Sequence, residues 1–319
     1  MKHNELIGLL LSLALLPSCR KEVAPAPAPA FCELRLVAAA PATRMSGGGT
    51  DEACVDDLQV LLFDENGALE TSARAGSASL SLTCRSGEKT VWAFVNAPAV
   101  SGIARLDDLS ALVSRLSDNA PGRLVMGGSR PLTVCGNGTD TVTVERLCAK
   151  ITLDRITRAF ASPVLQARPM TVNRIYLTNV AADRPLCTDG APAAWLNKLG
   201  NQGDCPALLC DEVGKALTDV LSETHTFYVY PNPSTSAARG GTWSPRHTRL
   251  VIDTTLDGAR SYYVIDIPDI QGNHVYRLTD VVLGRPGAAD EENVSSEAAV
   301  RFSCSVAGWR ETDPYQENL

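Results

Sequence analysis

Aromatic residues and histidines are scarce in this sequence, and the common catalytic motifs are absent from it. Aromatic residues make up 5% of the 319 residues, and there are 4 histidines. The sequence has no Gly-x-Ser-x-Gly, no His-Glu-x-x-His and no calcium-loop pattern. The glycine clusters at residues 47–49 and 127–128 lack the Lys-Ser/Thr pair of a phosphate-binding loop. We therefore expect a protein that is not an enzyme, with no catalytic, cofactor-binding or metal-binding residues.

The sequence also has fewer basic than acidic residues. The chain has 29 lysines and arginines against 36 aspartates and glutamates, which gives a formal net charge of −7 at pH 7. Proteins that bind nucleic acid neutralise phosphates with clustered Lys and Arg, so nucleic acid is not an expected partner. Beyond the N-terminal region there is no apolar run of 18 residues, and we expect no membrane-spanning helix.

The N-terminus carries the most specific pattern in the sequence. Lys2 and His3 precede an apolar stretch at residues 6–16, and Cys19 follows it closely. This order is typical of a secretory signal peptide over residues 1–18, and the apolar stretch is too short to span a bilayer. The residues around Cys19 match a bacterial lipoprotein signal, in which the thiol takes a diacylglyceryl group and the new amino terminus takes an acyl chain such as palmitate. An ordinary cleaved signal with an incidental cysteine is the alternative.

Residues 19–31 are expected to form a lipid anchor and a linker. Alternating Pro and Ala in residues 21–30 favour an extended spacer. Each buried methylene of an acyl chain contributes about 0.8 kcal/mol, so several chains on Cys19 would hold the protein stably at a membrane. The folded body is then expected to lie in water, close to that membrane.

The sequence contains 10 cysteines. If Cys19 is acylated, nine remain, and at least one of them cannot pair within the chain. An exported location permits disulfides, but the spacings specify no framework. Cys205 and Cys210 have a spacing compatible with zinc, yet no second close pair accompanies them, and a local disulfide among Cys187, Cys205 and Cys210 is the favoured interpretation. Two further cysteines lie in apolar strand patterns typical of buried thiols: Cys148 and Cys304.

Short segments of alternating polar and apolar residues dominate the rest of the chain. Strands are predicted at residues 32–38, 58–63, 78–82, 91–95, 142–153, 172–178, 227–230, 250–255, 262–267, 275–283 and 299–307. The second of these is an apolar run broken only by Gln59, and residues 64–67 (DENG) predict a turn after it. Residues 106–116 and 211–221 show helical spacing instead and predict two short helices. Many short strands, few helices and turn-rich connections indicate an all-β fold of the β-sandwich type. We place two domains at residues 32–150 and 151–319.

A series of segments carries a family resemblance through its order along the chain. After Cys19 it comprises residues 41–44 (PATR), 55–67 (VDDLQVLLFDENG), 91–98 (VWAFVNAP), 124–127 (LVMG), 144–156 (VERLCAKITLDRI), 175–180, 227–233, 248–258, 262–268, 273–287 and 306–309. In this order the segments resemble the fimbrillin family, the subunits of fimbriae (pili) in Bacteroides- and Porphyromonas-like bacteria. Residues 146–150 are similar to the family's Arg-x-x-Ala-Lys strand at the domain junction.

The resemblance implies two transthyretin-like β-sandwich domains and a structural role in a fimbrium that supports cell adhesion. Family members reach the cell outer membrane as surface-exposed lipoproteins, are cut after an arginine by a trypsin-like protease, and join other fimbrial subunits by β-strand exchange. The matching bond here is Arg44–Met45. Cleavage would release residues 32–38, and a neighbour's segment around residues 305–319 would fill the groove. An ordinary exposed arginine is the alternative reading of Arg44.

Two other roles stay open at this point. One is a fimbrial anchor subunit that keeps its lipid and its N-terminal strand. The other, from a different class, is a monomeric surface lipoprotein that binds glycan or host protein. An exposed aromatic groove and the lack of a polymer would favour the monomeric protein.

Overall fold

The computed structural model describes residues 30–40, 52–198, 206–238, 241–293 and 295–309. Strands dominate these residues, and the helices are short: one α-helix, α1 (Pro163–Gln166), and two 3-10 helices, Leu106–Ala111 and Leu116–Asp118. None of the helices described is long and apolar enough to cross a membrane. The all-β fold expected from the sequence is confirmed.

All but one of the nine strands described between residues 31 and 146 form two sheets over one core. In chain order they are β1 (Phe31–Ala39), β2 (Leu58–Asp64), β3 (Leu69–Ala75), β4 (Ser79–Arg85), β5 (Gly87–Val95), β6 (Val113–Arg115), β7 (Met126–Val134), β8 (Gly138–Thr143) and β9 (Glu145–Arg146). The first sheet has the order β4-β1-β8, and the second has the order β3-β2-β5-β7-β9. Alternate side chains of both sheets meet in one apolar cluster, which is the packing of a β-sandwich.

Ten of the thirteen strands described from residue 149 onward form a second pair of sheets. They are β10 (Ala149–Leu153), β11 (Ile156–Arg158), β12 (Met170–Thr178), β13 (Val180–Ala181), β14 (Asp183–Pro185), β15 (Trp195–Leu196), β16 (Cys210–Ala216), β17 (Val220–Leu221), β18 (His225–Val229), β19 (Thr248–Leu256), β20 (Ala259–Ile267), β21 (His274–Leu283) and β22 (Val300–Gly308). One sheet has the order β17-β11-β21-β10-β18, with β22 on β21, and the other has the order β16-β12-β19-β20. β13 pairs with β15 as a separate ribbon.

The two halves of the molecule pack closely on each other. Leu61, Phe63 and Phe94 lie on the face of the five-stranded sheet that points away from the first core, and they join the apolar cluster of the second half. β14 pairs with β6, so one small sheet contains a strand from each half. The change from the first set of sheets to the second falls between β9 and β10. The domain boundary at residues 150 and 151 stays a prediction.

Each strand predicted from alternation has a counterpart in the structure, and so does the turn after the second of them. In that turn Gly67 has a φ of +73°, and the Asp64 carboxylate accepts hydrogen bonds from the backbone N–H groups of Asn66 and Ala68, both at 2.9 Å. A positive φ costs glycine little, and an aspartate at the start of a turn can satisfy its backbone donors. Local sequence was therefore sufficient for these elements.

The two predicted helices are corrected by the structure. Residues 106–116 start as a 3-10 helix but continue into β6, because that segment pairs with β14. The helix predicted at residues 211–221 is wrong: the segment forms β16, which pairs with β12, and β17, which pairs with β11. Gly214 has a φ of +60° there, which is outside the helical region. Long-range strand pairing overrides the helical spacing at both places.

Candidate functional site

β1 is the central strand of its three-stranded sheet. It pairs antiparallel with β4 along one edge and parallel with β8 along the other. A strand with neighbours on both sides donates and accepts backbone hydrogen bonds along both edges. Removing β1 would therefore leave unpaired N–H and C=O groups on both β4 and β8.

One face of β1 contributes to the first core. Cys32, Leu34, Leu36 and Ala38 are between 1% and 7% exposed, and the side chains between them point outward. Full burial of a leucine side chain is worth about 1.5–3 kcal/mol, so both leucines contribute substantially to holding β1 in place. Loss of this strand would open an apolar groove between β4 and β8, which we call the β1 groove.

The predicted modification sites lie outside the described residues. Cys19 precedes them, and Arg44 and Met45 fall between Ala40 and Glu52. In the sequence, Arg44 follows the last residue of β1 by five positions. The structure thus places an essential core strand directly before the predicted cut, although both sites themselves remain predictions.

Glu52 fixes the chain to the body of the protein soon after the predicted cut. Its carboxylate accepts hydrogen bonds from Lys150 Nζ at 2.9 Å and from the Tyr228 hydroxyl at 2.5 Å. Arg146 Nε donates to the Glu52 carbonyl oxygen at 3.0 Å. Burial, and then the negative charge of Glu52, raise the pKa of Tyr228, so this phenol stays protonated and acts as the donor.

Trp309, the residue that follows β22, packs on the same residues. Arg146 Cζ lies 4.7 Å from the centroid of the Trp309 ring, Lys150 Nζ lies 5.7 Å from it, and the ring stacks on Tyr228 at 6.1 Å. Two cations on one indole, with a stacked phenol, form a stable aromatic contact. We call Glu52, Arg146, Lys150, Tyr228 and Trp309 the junction cluster.

The junction cluster gives a structural role to the Arg-x-x-Ala-Lys segment. Its two basic residues, Arg146 and Lys150, hold the chain where it resumes after β1 and also hold the end of β22. A cut before Glu52 would therefore leave the rest of the body anchored. The sequence pointed to this segment but not to its partners, because Glu52 and Trp309 are far from it along the chain.

β22 is an edge strand with an exposed apolar face. Among the described strands it pairs with β21 alone. Phe302 and Val306 are 44% and 54% exposed, although they lie opposite buried residues of β21, and Cys304 between them is exposed. The expectation that Cys304 is a buried thiol is therefore wrong, since the edge of the sheet leaves this face uncovered. An uncovered apolar edge strand can pair with another chain.

The titratable side chains of the described residues do not assemble a metal centre, since no group of three or more His, Cys, Asp and Glu could hold an ion. His225, which has no evident partner in the sequence, has Nδ1 at 2.7 Å from Asp211 Oδ2. The sequence does not reveal this contact, because the spacing of residues 211–221 predicts a helix and not the strand that places Asp211 beside His225. Cys148 is buried as expected, and burial raises its pKa to about 12. Cys205 lies outside the described residues, so the local disulfide stays a prediction.

Two tryptophans that are distant in sequence meet in the second half. The rings of Trp195 and Trp243 have centroids 5.6 Å apart and are tilted by 60°, and Lys198 Nζ lies 4.7 Å from the Trp243 centroid. The Trp243 indole N–H donates to Asn179 at 3.2 Å. Both rings are half-buried and cover each other. This pair does not form the open aromatic platform that stacking on a sugar requires.

Comparison with known families gives a match in the first half of the chain. Residues 30–145 match the family described as major fimbrial subunit protein (FimA). This range contains β1 to β8 and the first residue of β9, and so it includes the β1 groove. None of the curated proteins matches the chain. The resemblance to the fimbrillins that the sequence predicts is confirmed.

Solved structures share the fold over most of the chain at low sequence identity. A fimbrilin (FimA) from Porphyromonas gingivalis W83 is 16% identical, with a TM-score of 0.64 over 88% of this chain and 98% of that chain. A candidate cell adhesion protein from Bacteroides eggerthii DSM 20697 is 18% identical, with a TM-score of 0.61 over 87% and 96%. The tip fimbrial protein Mfa3 from Porphyromonas gingivalis, with a C-terminal truncation, is 13% identical, with a TM-score of 0.53 over 88% and 100%.

Proposed function

We propose that this chain, which resembles the FimA fimbrial subunits in residues 30–145 and shares the fimbrilin fold, is a structural subunit of a cell-surface fimbrium. In the proposal it is exported as a lipoprotein acylated at Cys19 and held at the outer membrane. A trypsin-like protease then cuts Arg44–Met45, and the subunit joins others by β-strand exchange. The observation that carries the proposal is the position of β1, a central core strand that ends five residues before Arg44.

The first step is the release of β1. Before the cut, β1 is held by covalent continuity as well as by its two ladders and its apolar face. After the cut, the noncovalent contacts of β1 would compete with those of any strand from another molecule. The junction cluster supports this step, because it keeps Glu52 and the rest of the body in place when the preceding segment leaves.

The second step is the detachment of β22 from β21 and the junction cluster of a neighbouring subunit, and its entry into the β1 groove. β1 and β22 are both nine residues long, and both place apolar residues at alternate positions. Phe302, Cys304 and Val306 gain burial if they enter the groove, since they are exposed at the sheet edge. Residues 310–319 are polar and contain Pro314, which disfavours a central strand. β22 therefore supports a donor segment that begins before the expected residues 305–319.

Repetition of this contact gives a filament. The groove lies in the first half of the chain and the donor strand in the second, so the contact between two subunits is heterologous. Heterologous head-to-tail contacts that do not close form an open filament. Each subunit in the interior of such a filament would donate one strand and accept one.

The test compares three forms of the full chain in a fimbriate host: wild type, Arg44→Ala, and Arg123→Ala as an exposed-arginine control. N-terminal sequencing and intact mass of surface protein are measured beside SDS-resistant ladders in the same samples. We expect wild type and Arg123→Ala to start at Met45 and to form ladders. Arg44→Ala is expected to start at acylated Cys19 and to remain a single band.

Two results would contradict the proposal. Ladders formed by Arg44→Ala with the N-terminal strand retained would show that assembly does not depend on this cut. A wild-type chain that starts at acylated Cys19 and forms no ladder would instead identify an anchor subunit or a monomeric lipoprotein that binds glycan or host protein.

A further inference from the structure

Two cysteines lie directly opposite each other at the first core, one on β1 and one on β4. The register of the antiparallel pair places Cys32 against Cys84, and their side chains are 3% and 1% exposed. Both belong to the apolar cluster between the two sheets of the first sandwich. Directly opposed residues of neighbouring strands project from the same face, so the two thiols point to the same side.

The distance between the Cα atoms of Cys32 and Cys84 lies within the range that a disulfide spans. Ser86 N donates to Ala30 O and Ala38 N donates to Ala78 O, both at 2.8 Å, which marks these as hydrogen-bonded pairs of the β1–β4 ladder. Such pairs alternate along an antiparallel ladder, so Cys32 and Cys84 also form one, with Cα atoms about 5.5 Å apart. Disulfides span Cα separations of about 4.4–6.8 Å. In the structure both cysteines are free thiols, and Cys32 Sγ donates to Ala30 O at 3.5 Å. Directly opposed Cβ atoms lie about 4.5–5.5 Å apart, whereas a disulfide needs about 3.5–4.5 Å, so bond formation requires the two side chains to rotate and the two Cβ atoms to move closer together.

The burial of this pair indicates when a bond could form. Burial, and then the negative charge of Glu70, raise the pKa of Cys84, which disfavours the reactive thiolate in the folded protein. Oxidation is therefore favoured while the exported chain folds and before β1 is covered. Once β1 is in place, the same burial would slow the reaction of the bond with a reductant without preventing it.

We propose that Cys32 and Cys84 form a disulfide in the exported protein and that this bond locks β1 in its groove until it is reduced. The reaction is thiol–disulfide exchange with a protein disulfide in the compartment to which the chain is exported. Two thiols lose two protons and two electrons, one S–S bond forms, and the oxidant's disulfide becomes a dithiol. A dithiol reductant reverses the step. The inference rests on the proposed function, because a lock matters only if β1 is to leave.

The proposed disulfide would join the two sides of the predicted cut. Cys32 precedes Arg44–Met45 and Cys84 follows it, so a protease cut there would not separate residues 19–44 from residues 45–319. The lipid-linked segment would stay bonded to the body through the disulfide, and β1 would stay in the groove. Strand exchange then requires two events, proteolysis and reduction, instead of one.

The first measurement maps the bond in wild-type protein, without any variant that could misfold. Surface protein is treated with N-ethylmaleimide under denaturing conditions, digested with trypsin, and analysed by mass spectrometry with and without reduction. Trypsin places Cys32 in residues 22–35 and Cys84 in residues 75–85, each as the only cysteine of its peptide. We expect a linked pair of these peptides that separates on reduction. Maleimide on both cysteines of unreduced protein would overturn the inference.

The second measurement tests the lock. Purified uncut protein is digested briefly with trypsin and run on gels with and without dithiothreitol, as wild type, Cys32→Ser, Cys84→Ser and the exposed-cysteine control Cys135→Ser. We expect the wild type and Cys135→Ser to lose residues 19–44 only after reduction, and the other two variants to lose them on cutting alone. Release from cut wild type without reductant would also overturn the inference.

The two proposals fail in different ways. A mapped disulfide with no ladder under any redox condition would refute the proposed assembly and leave the covalent bond established. Ladders from wild type that form at full yield without reductant, while the bond is mapped as intact in the same subunits, would refute the lock and leave strand exchange standing.

Discussion

At the scale of single residues, Asp253 is a fully buried charge in the second sandwich. It lies in β19 with a side chain that is 0% exposed. Arg260 Nη2 donates to it at 2.5 Å, Arg174 Nε at 3.2 Å, and Asn173 Nδ2 at 3.0 Å. Burial opposes ionisation of this carboxyl, but the hydrogen bonds from Arg260, Asn173 and Arg174 outweigh it and lower its pKa. Asp253 is therefore a stabilising anion in the folded protein.

Asp253→Asn is expected to lower the free energy of unfolding by about 3 kcal/mol at pH 7, since it leaves two arginines without their common partner. A carboxyl whose pKa is lowered by folding stabilises the protein above its unfolded pKa, about 3.9, and loses that effect as the pH falls through the folded pKa. The gap between wild type and variant should therefore close below about pH 4. Urea unfolding of both proteins at several pH values measures this difference in the free energy of unfolding.

The matched control for this prediction is Asp189→Asn, because Asp189 pairs with Arg184 at the surface and its side chain is 98% exposed. We expect that change to alter stability by less than about 0.5 kcal/mol. Equal losses for both variants would show that burial of Asp253 does not set its contribution.

At the scale of elements, β1 is expected to stabilise the uncut subunit and not the polymer, whereas the exposed face of β22 is expected to stabilise the polymer and not the uncut subunit. Leu36→Ala removes a buried side chain of β1 and should lower the stability of the uncut subunit by about 2–5 kcal/mol. The same change should leave the heat resistance of preformed ladders unaltered, because β1 is absent from an exchanged polymer. Urea unfolding of subunits and SDS-gel melting of ladders are the two measurements.

Phe302→Ser provides the reciprocal variant. Phe302 is 44% exposed in β22, so the stability of the uncut subunit should change little. Its side chain is expected to be buried in the neighbour's groove, and ladder yield should fall steeply. Ladders of Leu36→Ala that melt earlier, or ladders of Phe302→Ser at wild-type yield, would contradict the assignment of these two strands.

At the scale of the whole molecule, the shared apolar cluster couples the two sandwiches. Leu61, Phe63 and Phe94 of the first half pack in the core of the second, and β14 pairs with β6. Because separating the halves would expose this face, we expect the uncut protein to unfold in urea as one transition, with tryptophan fluorescence and far-UV circular dichroism coinciding.

Phe63→Ala tests that coupling, since it removes a fully buried side chain from the shared face. We expect the two probes to separate in this variant. Leu80→Ala, in the first core and away from the shared face, is the control and should shift both probes together. Separate transitions in the wild type would show that the halves fold independently.

The sequence by itself determined the features that depend on near neighbours. Period-2 alternation identified β1, whose side chains are alternately exposed and buried along most of its length, and a short apolar run identified β2, which is buried on both faces. The turn at Gly67 followed from four consecutive residues. The order of short segments was enough to indicate the fimbrillin resemblance, which the match over residues 30–145 confirms.

Only the tertiary structure decided which segments meet. Helical spacing at residues 211–221 gave way to pairing with β12 and β11, because ladder hydrogen bonds to distant strands outweigh a local preference. The contacts of Glu52 and Trp309 with Arg146, and the opposition of Cys32 and Cys84, join residues tens to hundreds of positions apart. Periodicity fixes which face a side chain takes, whereas register across a sheet is set by the packing of the whole core.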